Sequence, residues 1–153
     1  MQDLDQRIIA HLVADARASY ATIGAQVGLS APAVKRRVDR LRADGVLRGF
    51  TAIVDPEALG WGTEAFVEVH CDGNVPAHRI RSDLEPFPEV VAAYTVSGHA
   101  DAIVHLRAAD IHHLEQAMER LRAVDVVNRT VSTVVLSRLF EQPPQGRPDA
   151  LPG

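Results

Sequence analysis

One stretch, residues 28–47, constrains the fold of this chain more than any other; its sequence is GLSAPAVKRRVDRLRADGVL. Gly28 can take a positive φ at little cost, so it can end one helix and turn the chain. Ser30 is a favourable N-cap residue, and Pro32 falls in the first turn of the next helix, where a missing N–H costs little. The stretch therefore predicts two helices joined by a tight turn, which is the helix-turn-helix motif.

The second helix of this motif is amphipathic and basic. Val34, Val38 and Leu41 recur at helical spacing, which predicts one buried stripe. The rest of its surface carries Lys35, Arg36, Arg37, Arg40 and Arg42. Asp39 and Asp44 offset part of this charge. Such a helix fits the DNA major groove, although any exposed helix can carry charges of this kind.

The charge of the chain is divided unevenly along its 153 residues. Residues 1–50 hold eight Lys and Arg against five Asp and Glu, a net charge of +3. Residues 51–153 hold eight against fifteen, a net charge of −7, which leaves the whole chain at −4. A basic segment followed by an acidic remainder is typical of a DNA-binding protein with a separate second domain.

Other features of composition bear on location. Cys71 is the only cysteine, so an internal disulfide is excluded, as is usual in a reducing cytosol. The first residues, MQDLDQR, lack the apolar core of a signal peptide, and no apolar run approaches the roughly 20 residues of a membrane span. We expect a cytoplasmic protein with no membrane partner.

Helical periodicity predicts three helices in the first 45 residues, and turn residues predict where the domains divide. Residues 46–55 are rich in β-branched and aromatic side chains, which predicts a strand or a wing. Arg48 lies there and either contacts a phosphate or is a solvated strand charge.

We predict a DNA-binding domain over 1–50, a linker over 51–62, a second domain over 63–141 and a disordered, proline-rich tail over 142–153. Trp61, in the linker, is expected to pack between the domains.

From residue 63 onward the pattern changes to strands and helices in alternation. Strands are predicted over 66–71, 90–96, 102–107 and 126–139, and helices over 76–85 and 110–123. The order β-α-β-β-α-β is the ferredoxin-like arrangement, so the fold class is α+β. Because its helices cover only one face of the sheet, we expect the open face to be buried in a homodimer.

Taken together, these residues resemble the Lrp/AsnC, or feast/famine, family of prokaryotic transcription regulators. The resemblance covers residues 3–141 and is carried by LDQRIIAHL, by GLSAPAVKRRVDRLRADGVLRGFTA and by SGHAD before a strand. It implies a winged helix-turn-helix domain joined to a ferredoxin-like effector domain, with amino acids or related metabolites as effectors. It also implies homodimers that assemble further, here to an octamer. The candidate DNA contacts are Ser30, Ala33, Lys35, Arg36, Arg37 and Arg40.

The resemblance also suggests an effector site at the turn Ser97–Asp101, which by itself has the composition of a plain hairpin loop. In the proteins it resembles, this turn binds the α-amino and carboxyl groups of the effector. Asp101 can pair with an ammonium, and N–H groups near Gly98 can bind a carboxylate. The candidate effector-binding residues are Ser97, Gly98, His99, Asp101, Asn128, Thr130 and Ser132, the last three on a strand from a neighbouring subunit. Ala100 replaces the usual aromatic residue, which implies a bulkier effector or a weak or lost pocket.

Two other functions compete with regulation. Tetrapyrrole (siroheme-type) decarboxylases resemble this fold and bind their macrocycle through histidine and arginine, but the intact basic helix argues against that use. An assembly protein built on the effector domain alone would leave the N-terminal helices without a role. The histidines do not suggest a metal site, because His112 and His113 point about 100° apart on a helix and His70 and His105 lie on separate strands. We therefore expect no catalytic residues, no cofactor and no metal, and solvated or capping roles for these histidines.

Overall fold

The computed structural model describes residues 3–141, which form two compact units. One contains the described residues up to Ala52 together with residues 140 and 141, and the other is Ile53–Leu139. The predicted tail over 142–153 lies outside the described residues. The predicted domain limits at 50 and 62 remain predictions.

The first unit is built from three helices, as predicted. They are α1 (Asp3–Ala14), α2 (Tyr20–Val27) and α3 (Ala31–Ala43). Each contributes two apolar side chains to a single core, whose members are Ile8, Leu12, Ile23, Val27, Val34 and Val38. Because the three helices are short, this shared core rather than intrinsic propensity stabilises them.

The turn between α2 and α3 has the predicted caps. Gly28 takes φ 74° and closes α2, and the Ser30 hydroxyl accepts a hydrogen bond from the backbone N–H of Ala33 at the start of α3. A second glycine is also required here. A Cβ on Gly24 would lie 2.3 Å from the carbonyl oxygen of Leu29, so only glycine lets the chain return this closely over α2.

The predicted strand or wing over residues 46–55 is absent from the described chain. Residues 48–55 have no regular secondary structure, and the side chains of Phe50, Ile53 and Val54 are exposed. A strand needs a neighbouring strand to accept and donate its backbone hydrogen bonds, and no described segment pairs with this one. The strand or wing predicted from the β-rich composition is therefore wrong for a single chain.

The second unit has the predicted β-α-β-β-α-β order. Its elements are β1 (Thr63–Cys71), α4 (Ala77–Leu84), β2 (Val90–Thr95), β3 (Ala102–Ala108), α5 (Ile111–Arg122) and β4 (Val127–Val134). The four strands form one antiparallel sheet in the order β2-β3-β1-β4. β1 begins earlier than predicted, and β4 ends at Val134 rather than at residue 139 because the chain beyond it has no strand pairing.

Strand alternation divides the sheet into a covered and an open face. Ala65, Val67 and Val69 of β1 are buried toward α4 and α5, together with alternate residues of β3. The open face carries Phe66 and Val131, which are substantially exposed. The predicted one-sided cover of the sheet is confirmed, and it leaves apolar side chains on the surface.

A buried carboxylate joins α5 to the start of β2. Glu89 is only 2% exposed, and it accepts hydrogen bonds from Arg120 and from Nε2 of His113, the latter over 2.8 Å. Nδ1 of His113 accepts from the N–H of Ala109, so Nε2 carries the proton that is donated to Glu89. Burial by itself raises the pKa of Glu89, but these donors outweigh it and hold that pKa below its usual value.

This arrangement bears on two sequence-based expectations. His113 has the expected capping role, because its Nδ1 accepts from the N–H of Ala109 just before α5, but its Nε2 also bonds to a buried carboxylate. Trp61 stacks on the His113 ring within the second unit, with ring centroids 6.3 Å apart, and its expected packing between domains stays a prediction. Among the described helices, none combines the length and the apolar character that a membrane crossing requires.

Candidate functional sites

The basic helix α3 is tied to α1 by one buried carboxylate. Asp5 is 4% exposed; its Oδ1 accepts from Nη1 of Arg37 over 2.7 Å and its Oδ2 accepts from Nη2 of Arg40 over 2.9 Å. Sequence reasoning missed this contact. The available signal was the position of Asp5, three residues before the buried Ile8 and so on the same helical face.

This contact separates the arginines of α3 by role. Burial by itself raises the pKa of Asp5, but the hydrogen bonds and charges of Arg37 and Arg40 outweigh it and hold that pKa below its usual value. The side chain of Arg37 is only 23% exposed, so its guanidinium is committed to Asp5. Arg40 remains 51% exposed and can still present N–H groups to a ligand.

Arg36 is the residue of α3 best placed for an external contact. It lies about 200° around the helix from Val34, on the side opposite the buried stripe, and has no ion pair or hydrogen bond with any residue in 3–141. Lys35 is exposed but bonds to Asp39 over 2.6 Å. The candidates Ser30 and Ala33 form the N-cap hydrogen bond of the helix, over 3.4 Å.

The Asp5 contact makes acid stability a test of this arrangement. Because folding lowers the pKa of Asp5, the stability it contributes is present above its unfolded pKa, near 4, and is lost as the pH falls through the folded value. We expect Asp5→Asn to cost about 1–3 kcal/mol at pH 7 and less at pH 3. Thermal melts of both proteins by helical circular dichroism check this, and an equal difference in Tm at both pH values would contradict it.

The turn Ser97–Asp101 joins β2 to β3 at one end of the sheet. The N–H of Asp101 donates to the carbonyl oxygen of Val69 over 3.0 Å, and its Oδ2 accepts from the N–H of Cys71 over 2.7 Å. Asp101 therefore fixes the turn to the end of β1, a role that the sequence did not reveal. Its Oδ1 has no hydrogen bond within the described chain and stays available to a ligand.

A cavity of about 650 Å³ opens beside this turn. Its lining consists of Glu68, Thr95, Val96, Ser97, Gly98, His99, Ala100 and Ile103. Three predicted residues of the turn, Ser97, Gly98 and His99, thus line one space, whereas Asp101 is not part of its lining. The structure adds Glu68 of β1, which the sequence analysis did not identify, and Ile103, which lies directly opposite Glu68 in the sheet.

The three predicted residues of the last strand do not reach this cavity in a single chain. Thr130 and Ser132 lie opposite Val69 and Val67 and therefore face the helices, whereas Glu68 and Ile103 belong to the open face. The Thr130 hydroxyl accepts from Nε of Arg122. Asn128 is exposed at the irregularity in the β1–β4 pairing, where the register shifts. A second copy would have to bring such residues to the turn.

The remaining candidate chemistry is sparse. Burial, followed by the charges of Asp101 and Asp72, raises the pKa of the Cys71 thiol, so this thiol stays protonated at neutral pH. Residues 3–141 contain no group of three or more side chains placed to hold a metal ion.

Comparison with known families accounts for both units. The AsnC-type helix-turn-helix domain matches residues 1–42, and the Lrp/AsnC ligand binding domain matches residues 64–145. This chain belongs to the Lrp/AsnC family of transcriptional regulators. As such a regulator it binds DNA through the helix-turn-helix unit that contains α3.

Its relatives agree with this assignment. The HTH-type transcriptional regulator Rv2324 of Mycobacterium tuberculosis is 51% identical, over 94% of this chain and 97% of its own length. The regulator LrpA of the same organism is 33% identical, over 92% and 93%. A feast or famine regulatory protein of M. tuberculosis, Rv3291c, solved in complex with L-methionine, has a TM-score of 0.86 and 32% identity, over 94% and 97%. These names point away from the decarboxylase alternative.

Proposed function

We propose that this Lrp/AsnC regulator reads a pseudo-palindromic DNA site with α3 and that an amino acid bound beside the turn Ser97–Asp101 alters this binding. The DNA-binding part of this proposal rests on Arg36, a cation on the outward face of α3 with no partner among the described residues. Arg40 and Lys35 lie near it and add charge. Two such helices in a dimer would contact half-sites about one helical turn apart.

Replacing Arg36 and replacing Arg37 should have different effects on DNA affinity and on Tm. Arg36→Ala should weaken DNA binding by about 1–3 kcal/mol and reduce the salt dependence, since one phosphate or base contact is lost, with little change in Tm. Arg37→Ala should mainly lower Tm, because Asp5 loses a buried donor. Fluorescence anisotropy at several salt concentrations, on a duplex selected by the protein from a random library, checks both.

Arg81→Ala is the matched control, since it removes the same charge from an exposed position on α4 in the other unit. Its DNA affinity should equal that of the parent protein. An Arg36→Ala variant that binds as tightly as this control, with the same salt slope, would remove Arg36 from the DNA contact.

Two observations support the effector part of the proposal. Oδ1 of Asp101 accepts no hydrogen bond from a described residue, and a cavity lies beside the turn that ends at Asp101. A carboxylate that binds the α-ammonium of an amino acid and backbone N–H groups that bind its carboxylate would recognise the two constant parts of any amino acid. The regulator Rv3291c, solved with L-methionine, has the same fold. Ala100 leaves room for a medium or large effector side chain rather than that of glycine or alanine.

Asp101→Asn tests this site more cleanly than truncation, because the amide oxygen can still accept from the N–H of Cys71. We expect calorimetry to show amino-acid affinity reduced on the order of tenfold or more, with DNA affinity retained. Asp125→Asn, in an exposed turn, is the control and should bind normally. Unchanged amino-acid affinity in Asp101→Asn would contradict the proposed site.

We further propose that a second copy covers the open face of the sheet and that dimers assemble to an octamer. Phe66 and Val131 are exposed there, and Nε2 of His105, beside Phe66, is buried without a hydrogen-bond partner among the described residues. Light scattering at micromolar concentration should give a mass well above the 16.6 kDa of one chain. A monomer under these conditions would contradict the proposal.

A further inference from the structure

Asp39 is a carboxylate on the side of α3 that faces away from the core of the first unit. It lies about 140° around the helix from the buried Val34 and about 60° from Arg36, so Asp39 and Arg36 are neighbours on the outward face. The side chain of Asp39 is 50% exposed. On a helix that binds DNA, this position brings a negative charge toward phosphates, which repel it. Asp39 therefore opposes the sequence-independent part of DNA affinity.

The ion pair with Lys35 does not account for a carboxylate at this position. Nζ of Lys35 bonds to Oδ2 of Asp39 over 2.6 Å, one helical turn away on α3. Both side chains are at least half exposed, and an ion pair of this kind adds little to stability. Oδ1 of Asp39 accepts no hydrogen bond from residues 3–141, so α3 presents one open acceptor beside Arg36.

We propose that Oδ1 of Asp39 accepts a hydrogen bond from the N4 amino group of a cytosine in the DNA major groove. This inference rests on the proposed function, since it assumes that α3 lies in that groove. Cytosine presents there an amino donor with no acceptor on the same base. Guanine and thymine present acceptors, which repel a carboxylate, and adenine presents the acceptor N7 next to its amino group. Asp39 thus attracts cytosine and repels the other three bases, which gives specificity rather than general affinity.

Helix geometry places this cytosine close to the DNA contact of Arg36. Three residues of an α-helix span about 4.5 Å, and neighbouring base pairs are about 3.4 Å apart, so Arg36 and Asp39 meet positions about one or two base pairs apart. The ammonium of Lys35 on Oδ2 offsets part of the charge that Asp39 brings toward the phosphates. The cost of Asp39 in phosphate affinity is therefore reduced, while Oδ1 stays open to the base.

Selection of duplexes from a random library, with the full-length parent protein and with Asp39→Asn, tests the proposal. We expect the parent to select a cytosine at one position of each half-site, and replacing that C·G pair should weaken binding on the order of tenfold. Asp39→Asn should prefer adenine at the same position, because an amide can both donate to N7 and accept from the N6 amino group. Fluorescence anisotropy on duplexes that differ only at this pair measures the change.

A base analogue tests the hydrogen bond itself. The analogue 2-pyrimidinone is cytosine without the N4 amino group, so it removes only the donor that Asp39 is proposed to contact. The parent should bind a duplex with this analogue on the order of tenfold more weakly than the cytosine duplex. Asp39→Ala should bind the two duplexes about equally.

Asp44→Asn is the matched control, since it removes the same charge from the exposed C-cap of the same helix. The lost charge alone should raise the affinity of both Asn variants for DNA of random sequence, because each loses a group that repels phosphates. Only Asp39→Asn should change the preferred base. Its Tm should stay close to that of the parent, since the side chain is exposed, and thermal melts by circular dichroism check this.

The outcomes separate this inference from the proposed function. If Asp39→Asn selects the same site as the parent, or gains affinity equally for all duplexes, Asp39 only neutralises Lys35 and the inference is wrong, while α3 remains the proposed reading helix. Equal binding of the cytosine and analogue duplexes by the parent would also contradict it. If the parent selects no sequence from the library, the proposed DNA-binding function fails as well.

Discussion

The arrangement of the DNA-reading unit depends on one buried carboxylate. Asp5, near the start of α1, accepts from two arginines that lie one helical turn apart on α3, so it fixes both the rotation and the height of α3 against α1. Such a buried ionic contact adds little net stability compared with an apolar pair, but breaking it leaves an unpaired charge. The contact therefore specifies the position of α3 more than it stabilises the unit. Because it fixes the rotation of α3, it also determines which residues of α3 face outward.

The effector unit contains a second contact of this kind. Glu89, before β2, is held by Arg120 and His113 of α5, as Asp5 is held by two arginines of α3. Glu89 fixes α5 to the strand whose far end leads into the turn Ser97–Asp101, and Asp101 then fixes that turn to β1. Three carboxylates, each accepting from groups distant in sequence, thus position the elements that carry both candidate sites.

Much of the fold could be predicted from local patterns because local physics determines it. The spacing of Val34, Val38 and Leu41 predicts the buried stripe of α3, and Ser30 predicts its start. The order β-α-β-β-α-β predicts a sheet with one covered face. The prediction of a strand or wing over 46–55 was wrong because β propensity describes side chains, whereas a strand also requires a partner for its backbone hydrogen bonds.

The candidate sites were less predictable because they depend on contacts between distant residues. Nothing local to Arg37 shows that its guanidinium meets Asp5, and nothing local to Glu68 places it beside a turn 30 residues later. Thr130 and Ser132 have the predicted period of two, but register puts them on the face opposite the cavity. The family resemblance indicated the turn Ser97–Asp101 as a candidate site, and only the structure shows which groups surround it.

In the proposed function, amino-acid binding and DNA binding are coupled in one molecule. Calorimetry can measure the affinity for the amino acid that binds most tightly, with the protein free and with it saturated by a duplex selected from a random library. We expect the two affinities to differ by at least about fivefold, and the amino acid to change the affinity for that duplex by the same factor, because coupling free energy is reciprocal. Equal amino-acid affinities with and without the duplex would contradict this coupling.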